Sequence, residues 1–235
     1  MKRAVVMSSL ALVCGLLLGW LVGSSFLPPI HVHTNASAIS PAVSPGILSN
    51  NRYGVSAAPE EEEPLDTEDN TPLLDRAGQA LEALKEKNYA ALSRLVHPEH
   101  GVTLTPYSTV DPSCDNVLTQ AEVARLSTDE EVYTWGLYDG SGEPIRCTGQ
   151  EYFDRYVFNA DYTEAPQVGI DTVLISGNAL ENVDAVYEDG RFVEYHFPGI
   201  DPAREGFDWC SLKLVFEVWN NDWYLVGMIH GEWTV

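Results

Sequence analysis

The pattern of apolar and polar positions changes character twice along this chain. Residues 4–22 are apolar without a charge, and residues 27–71 show neither a helical nor a strand period. From Pro72 onward, stripes at helical spacing come first and alternation follows. Leu73, Leu74, Ala77, Leu81 and Leu84 recur on one face, with Glu82, Lys85, Glu86 and Lys87 opposite. That spacing predicts an amphipathic helix starting at Pro72, with Asp75 complementing its positive end. A shorter helix after Asn88 carries Tyr89, Leu92, Leu95 and Val96, and Pro98 ends it.

Two later helices are marked by Thr-x-x-Glu. In Thr119–Glu122 and Thr148–Glu151 a hydroxyl and a carboxylate can satisfy each other's backbone donors. The first predicts a helix to about Leu126, and the second a helix bearing Tyr152, Phe153, Tyr156 and Val157. Val132–Tyr138 reads as a strand, and Asp139-Gly-Ser-Gly142 turns the chain back into Pro144-Ile145. Strands are also predicted at Thr172–Ser176, at Asp184–Tyr187 and, after a turn, at Arg191–Phe197. Phe207–Val235 reads as two long strands around a tight polar turn. Helices first and strands after predict an α+β domain, with N-terminal helices packed on a curved antiparallel, cone-like sheet.

Strict alternation assigns faces. Phe192, Glu194 and His196 share one, against Val193, Tyr195 and Phe197. In the last strand Trp223, Leu225, Gly227, Ile229 and Trp233 share one, against Tyr224, Val226, Met228, His230 and Glu232.

Met1-Lys2-Arg3 precedes the apolar run, and basic residues before such a run leave the N-terminus in the cytoplasm. The run is longer than the usual cleaved core and close to the ~20 residues that span a bilayer. Residues 1–26 are accordingly expected to be a signal-anchor or transmembrane segment, with Gly23 and Ser25 as the small residues of a cleavage site if it is removed. Cys14 lies inside the run with Val13 before it, which disfavours a lipid-modified cysteine. Six prolines and the acidic run Glu60–Glu63 mark 27–71 as a disordered linker, and 72–235 as the folded extracytoplasmic domain. The expected location is a bacterial cell membrane with the domain outside, or secretion after cleavage.

The net charge is −22, and residues 72–235 hold 10 basic against 28 acidic residues, or −18. A surface of that sign repels phosphate backbones, so nucleic acid is excluded as a partner class. No cofactor motif is present, and Asp139-Gly-Ser-Gly is a turn with no calcium-loop spacing. His97-Pro-Glu-His100 has a ligand-like spacing, but Pro98 breaks the helix that would align both rings, so no metal site is expected there. The histidines at 31 and 33 lie in the linker without further ligands. Outside the cell Cys114 and Cys147 can form a disulfide, while Cys210, on a strand, reads as a buried thiol.

Several segments together resemble an uncharacterised family of secreted or lipid-anchored proteins of Gram-positive bacteria, clostridia and bacilli. They are LSRLVHPEHGVTLTPY, WGLYDGSGEPI, FVEYHFPGID, GFDWCSLKLVFE and WYLVGMIHGEWTV, spread over about 73–235. The order of elements also resembles the cone-shaped nuclear transport factor 2-like fold. Neither resemblance implies a catalytic motif. A cone of that kind would bring His196, Asp208 and His230 to its mouth for general acid/base work. Trp135, Tyr195, Trp209 and Trp233 are candidate pocket aromatics. The expected function is a non-catalytic binding domain for a small-molecule, glycan or protein ligand. The alternatives are an enzyme at the His/carboxylate site and a homodimer pairing through an open sheet face.

Overall fold

The computed structural model describes residues 65–234, and the apolar run and the linker up to residue 64 lie outside them. Among the described residues no helix is long and apolar enough to cross a membrane. Helix α1 spans Asn70–Lys85, two residues earlier than predicted, because the Asp69 side chain accepts from the Thr71 amide and caps it. Residues 65–71 therefore belong to the domain and not to the linker. Arg191 fixes them by donating to the Thr67 carbonyl at 2.6 Å and to Asn70 Oδ1 at 2.7 Å. Asn88 caps helix α2, Tyr89–Ser93.

Strands β1 (Val102–Thr105) and β2 (Asn116–Leu118) precede helix α3 (Gln120–Arg125). A separate hairpin, β3 (Val132–Leu137) and β4 (Pro144–Thr148), leads into helix α4 (Gly149–Tyr152). Both Thr-x-x-Glu boxes form as predicted. Helix α4 continues as one π-helical turn, Phe153–Val157, which buries Phe153, Tyr156 and Val157 together.

Strand β5 (Gln167–Ile170), helix α5 (Val183–Val186), β6 (Arg191–Phe197), β7 (Cys210–Trp219) and β8 (Asp222–Glu232) complete the domain. The six-stranded sheet runs β2-β1-β8-β7-β6-β5. It is mixed, because β1 pairs with β8 in parallel, Leu104 opposite Met228. The expected strand at 172–176 is absent. Asp171 takes a positive φ of 46° and binds the Phe192 amide and Arg191, which turns the chain off the sheet after Ile170. The expected strand at 184–187 is a helical turn, since β5 and β7 already occupy both edges of β6. Asn220 and Asn221, with φ of 47° and 63°, make the tight turn between β7 and β8.

The helices pack on one face of this sheet, hereafter the front, with Leu104, Val193, Tyr195, Leu212, Leu214, Phe216, Trp223, Leu225 and Met228 beneath them. A smaller apolar cluster of Val110, Val183, Phe192, Val215, Val226 and Ile229 lies on the back. Val173, Val186 and Tyr187 pack against that cluster.

Candidate functional site

One irregularity decides where the candidate residues point. Val215 pairs with Gly227 but Phe216 pairs with Leu225, so Val226 is an extra residue in β8. Such a bulge reverses the alternation on either side of it. Trp223 and Leu225 thus share the front with Met228 and His230, whereas Ile229 faces the back. The strict alternation expected for this strand fails at that point.

His230 and His196 consequently lie on opposite faces. His230 stands opposite Leu212 on the front, and His196 stands opposite Ser211 on the back. Asp208 joins neither of them. Its carboxylate accepts from the Asp201 amide at 2.7 Å, which ties the 201–208 loop and holds its pKa below the usual carboxylate value. The three residues expected to form one acid/base site are not brought together.

On the front, His230 is 1% exposed, its ring edge-on to Tyr156 at 5.7 Å. Its Nε2 lies 3.4 Å from Glu232 Oε2, too long for a full hydrogen bond. Arg155 donates to Glu232 Oε1 at 2.8 Å and lies 4.6 Å over the Tyr156 ring. Burial alone would raise the Glu232 pKa, but the contacts from His230 and Arg155 draw it down to about 2. At these distances Arg155 is the firmer cause. Sequence reasoning named His230 and missed Arg155, which reaches this cluster from the π-helical turn.

The expected pocket aromatics do not line a common pocket. Trp135 is buried in the core, stacked on Tyr152 at 4.4 Å, and its Nε1 donates to the Cys147 carbonyl at 3.0 Å. Tyr195 borders a shallow front groove of about 270 Å³ with Leu81 and Val168. Trp209 packs at the back beside His196 at 5.9 Å. Trp233 is exposed, edge-to-face with Phe207 at 5.1 Å. Trp135, Tyr152, Phe153, Tyr156 and Tyr162 are each at most 2% exposed, so aromatic rings fill the helix–sheet interior. Cys114 and Cys147, a possible disulfide from the sequence, are free thiols. Cys147 is held in the β3–β4 ladder opposite Tyr133, and Cys114 lies in the exposed turn organised by Asp111. Cys210 is buried as expected.

His97, His100 and Glu217 do meet, with potential metal-binding atoms all within 4.8 Å of one another. Pro98 prevents a helix, yet a bridge from His97 to Gly101 folds the two rings into a stack at 4.2 Å. The arrangement suits a metal poorly. His97 Nδ1 already accepts from the Glu99 and His100 amides at 3.2 and 3.0 Å. Its lone pair is therefore committed there, and the proton belongs on Nε2. Parallel stacked rings also aim their lone pairs side by side instead of at one point. His100 Nδ1 pairs with Glu217 Oε2 at 3.0 Å as an exposed contact.

An open groove of about 480 Å³ lies between α1 and α2, lined by Arg76, Gln79, Glu82, Glu86, Asn88 and Arg94. Arg76 also pairs with Asp222 at the β7–β8 turn and lies 5.9 Å over Tyr224.

The buried histidines set a pH dependence. Burial lowers the pKa of His97, His196 and His230 below 6.5 in the folded state. The unfolded chain then takes up protons first, so stability is complete above 6.5 and is lost as pH falls toward the folded values. Below 4.5, Glu232 adds a further loss that continues to about 2. Urea midpoints should hold steady from pH 8 to 7 and fall from 6.5 to 5, and His230→Asn should flatten that fall. A midpoint that rises on acidification would contradict these assignments.

No family model matches the chain, and no curated protein matches it. Among solved structures it is similar to a nuclear transport factor 2-like protein from Cytophaga hutchinsonii. That pair shares 9% identity over 68% of this chain and 94% of the other, with a TM-score of 0.33. It is also similar to a domain of unknown function with a cystatin-like fold from Nostoc punctiforme, at 10% identity, 72% and 80% coverage and a TM-score of 0.34. Likenesses this distant carry no weight for fold or function.

Proposed function

We propose that the chain is a non-catalytic binding domain, held outside a bacterial membrane by its N-terminal apolar run, that takes its ligand in the groove between α1 and α2. The filled interior is the observation that supports this most. Aromatic rings occupy the space between helices and sheet, and the two candidate histidines are separated by the sheet itself. On the helix side of the sheet a ligand therefore has to be bound at the surface.

The groove offers both signs of charge, Arg76 and Arg94 against Glu82 and Glu86, and two amides, Gln79 and Asn88. Such a lining favours a polar ligand carrying both donors and acceptors, a peptide or an amino sugar over a lipid. The outward-facing bacterial setting rests on Lys2 and Arg3 before the apolar run, and on the resemblance to secreted Gram-positive proteins.

The test is a thermal-shift screen of the full chain in detergent micelles against peptides and glycans. A binder should raise Tm, and Arg94→Glu with Glu86→Lys should weaken it roughly ten- to a hundredfold, as losing two charge contacts at about 1.4 kcal/mol per tenfold implies. A ligand unaffected by that pair of changes would sink the groove assignment. Chemical turnover of the ligand would sink the non-catalytic reading.

A further inference from the structure

Between Asp171 and Asn182 the chain crosses the back of the sheet without helix or strand, and none of these residues is fully buried. What lies beneath it is both buried and polar. Glu194 is 0% exposed, Lys213 and Ser211 1%, and His196 3%. They form a block on neighbouring strands, Glu194 opposite Lys213 and His196 opposite Ser211. Lys213 Nζ lies 3.6 Å from Glu194 Oε1.

The crossing segment supplies the remaining partners. Glu181 Oε2 accepts from Lys213 at 2.8 Å, and the Leu174 amide donates to Glu194 Oε2 at 2.8 Å. Even so, Glu194 Oε1, His196 Nδ1, Ser211 Oγ and Glu181 Oε1 are buried without a hydrogen-bond partner. Burying charged and polar groups with part of their bonding unmet is costly, and an apolar block of the same size would serve a permanent core better.

The cover is tied at its ends, and between them it is held by single hydrogen bonds and by Val173 packing on the back cluster, with no side chain fully buried. Asp171 is fixed by Arg191 and the Phe192 amide, Asn182 exchanges two hydrogen bonds with the Val110 backbone, and Val183 is buried. In between, Asn178 donates to the Thr234 carbonyl and Thr109 to the Leu180 carbonyl. A segment with no fully buried residue and no helix or strand of its own opens at a fraction of the global unfolding free energy.

We propose that residues 172–181 are a displaceable strap, and that the Glu194–His196–Ser211–Lys213 block beneath it is a binding face for an extended peptide bearing a carboxylate. The chemistry follows from what the strap gives up on leaving. Glu194 loses an amide donor and Lys213 loses a carboxylate, so a replacement has to bring both along one extended backbone. The free His196 and Ser211 atoms offer such a peptide an acceptor and a hydroxyl that the strap leaves unused. This face is on the opposite side of the sheet from α1, and the proposal does not depend on the α1–α2 groove.

Two measurements on the full chain test it. In hydrogen exchange followed by mass spectrometry, amides of 172–181 should exchange at least a hundredfold faster than those of β6 and β7 while the latter stay protected. Exchange of both sets together, by global unfolding alone, would overturn the strap. The second uses a fluorescent synthetic peptide with the sequence of residues 171–182. It should bind the Glu181→Gln protein roughly tenfold more tightly than the unaltered chain, because the competing strap has lost its charge and the open form is more populated. The same peptide with Gln in place of its Glu should bind at least tenfold more weakly. Equal binding of the two peptides, or none by either, would overturn the binding face, and this comparison needs no folded variant at Lys213.

Discussion

Replacing Lys213 by alanine should lower the unfolding free energy by about 3–5 kcal/mol, the usual cost of removing one partner from a buried ion pair. Lys213 is 1% exposed and is the cation facing both Glu181 and Glu194. Glu181 keeps some exposure and can turn toward water once the ammonium is gone. Glu194 cannot, because it is fully buried between β5 and β7. The loss is thus chiefly the cost of a buried carboxylate left without its cation. Lys213→Met combined with Glu194→Leu removes both charges, and it should recover most of the difference, since an apolar pair of similar volume often matches a buried ion pair. Urea unfolding of the full chain, followed by tryptophan fluorescence, measures both. A loss below about 1 kcal/mol for the alanine change, the range of exposed pairs, would show that water reaches the block.

Trp135→Ala should cost a similar amount, about 3–5 kcal/mol, for a different reason. The indole is 1% exposed, is stacked on Tyr152, meets Tyr133 edge-on at 5.6 Å and donates to the Cys147 carbonyl. Alanine leaves a ring-sized cavity where the β3–β4 hairpin meets α4, and it also orphans a carbonyl. At about 2–4 °C per kcal/mol for a domain of this size, Tm should fall by roughly 10 °C. Had Trp135 lined a ligand pocket, as its sequence setting suggested, the same change would have spared Tm and reduced binding. Thermal unfolding therefore distinguishes a core tryptophan from a pocket one.

Local signals in the sequence were dependable. Both Thr-x-x-Glu boxes, the α1 stripe, the Asp139–Gly142 turn and the β7–β8 hairpin are legible because each is decided within a few residues. Apart from the start of α1, set by the adjacent Asp69 cap, the failures are non-local. Thr172–Ser176 looks like a strand, but whether it pairs depends on Asp171 meeting Phe192 some twenty residues later. Asp184–Tyr187 could not pair with β6 because β5 is already there. The parallel neighbour of β8 comes from Val102–Thr105, a segment too short to show a period. The bulge at Val226 has no signature in its own residues, and it alone decides whether His230 shares a face with Trp223. For the back-face block the available sign was Lys213 itself, a lone cation in a strand of Leu, Val and Phe.

The position of β8 has a consequence for how the protein is made. It is the last strand of the domain in the chain, yet it lies inside the sheet, between β1 and β7. β1 and β2 consequently have no sheet to join until β8 is available, and the helices meet an incomplete front face until then. Contacts that span so much of the chain form slowly and late. The six-stranded sheet should therefore be completed only once β8 has been made.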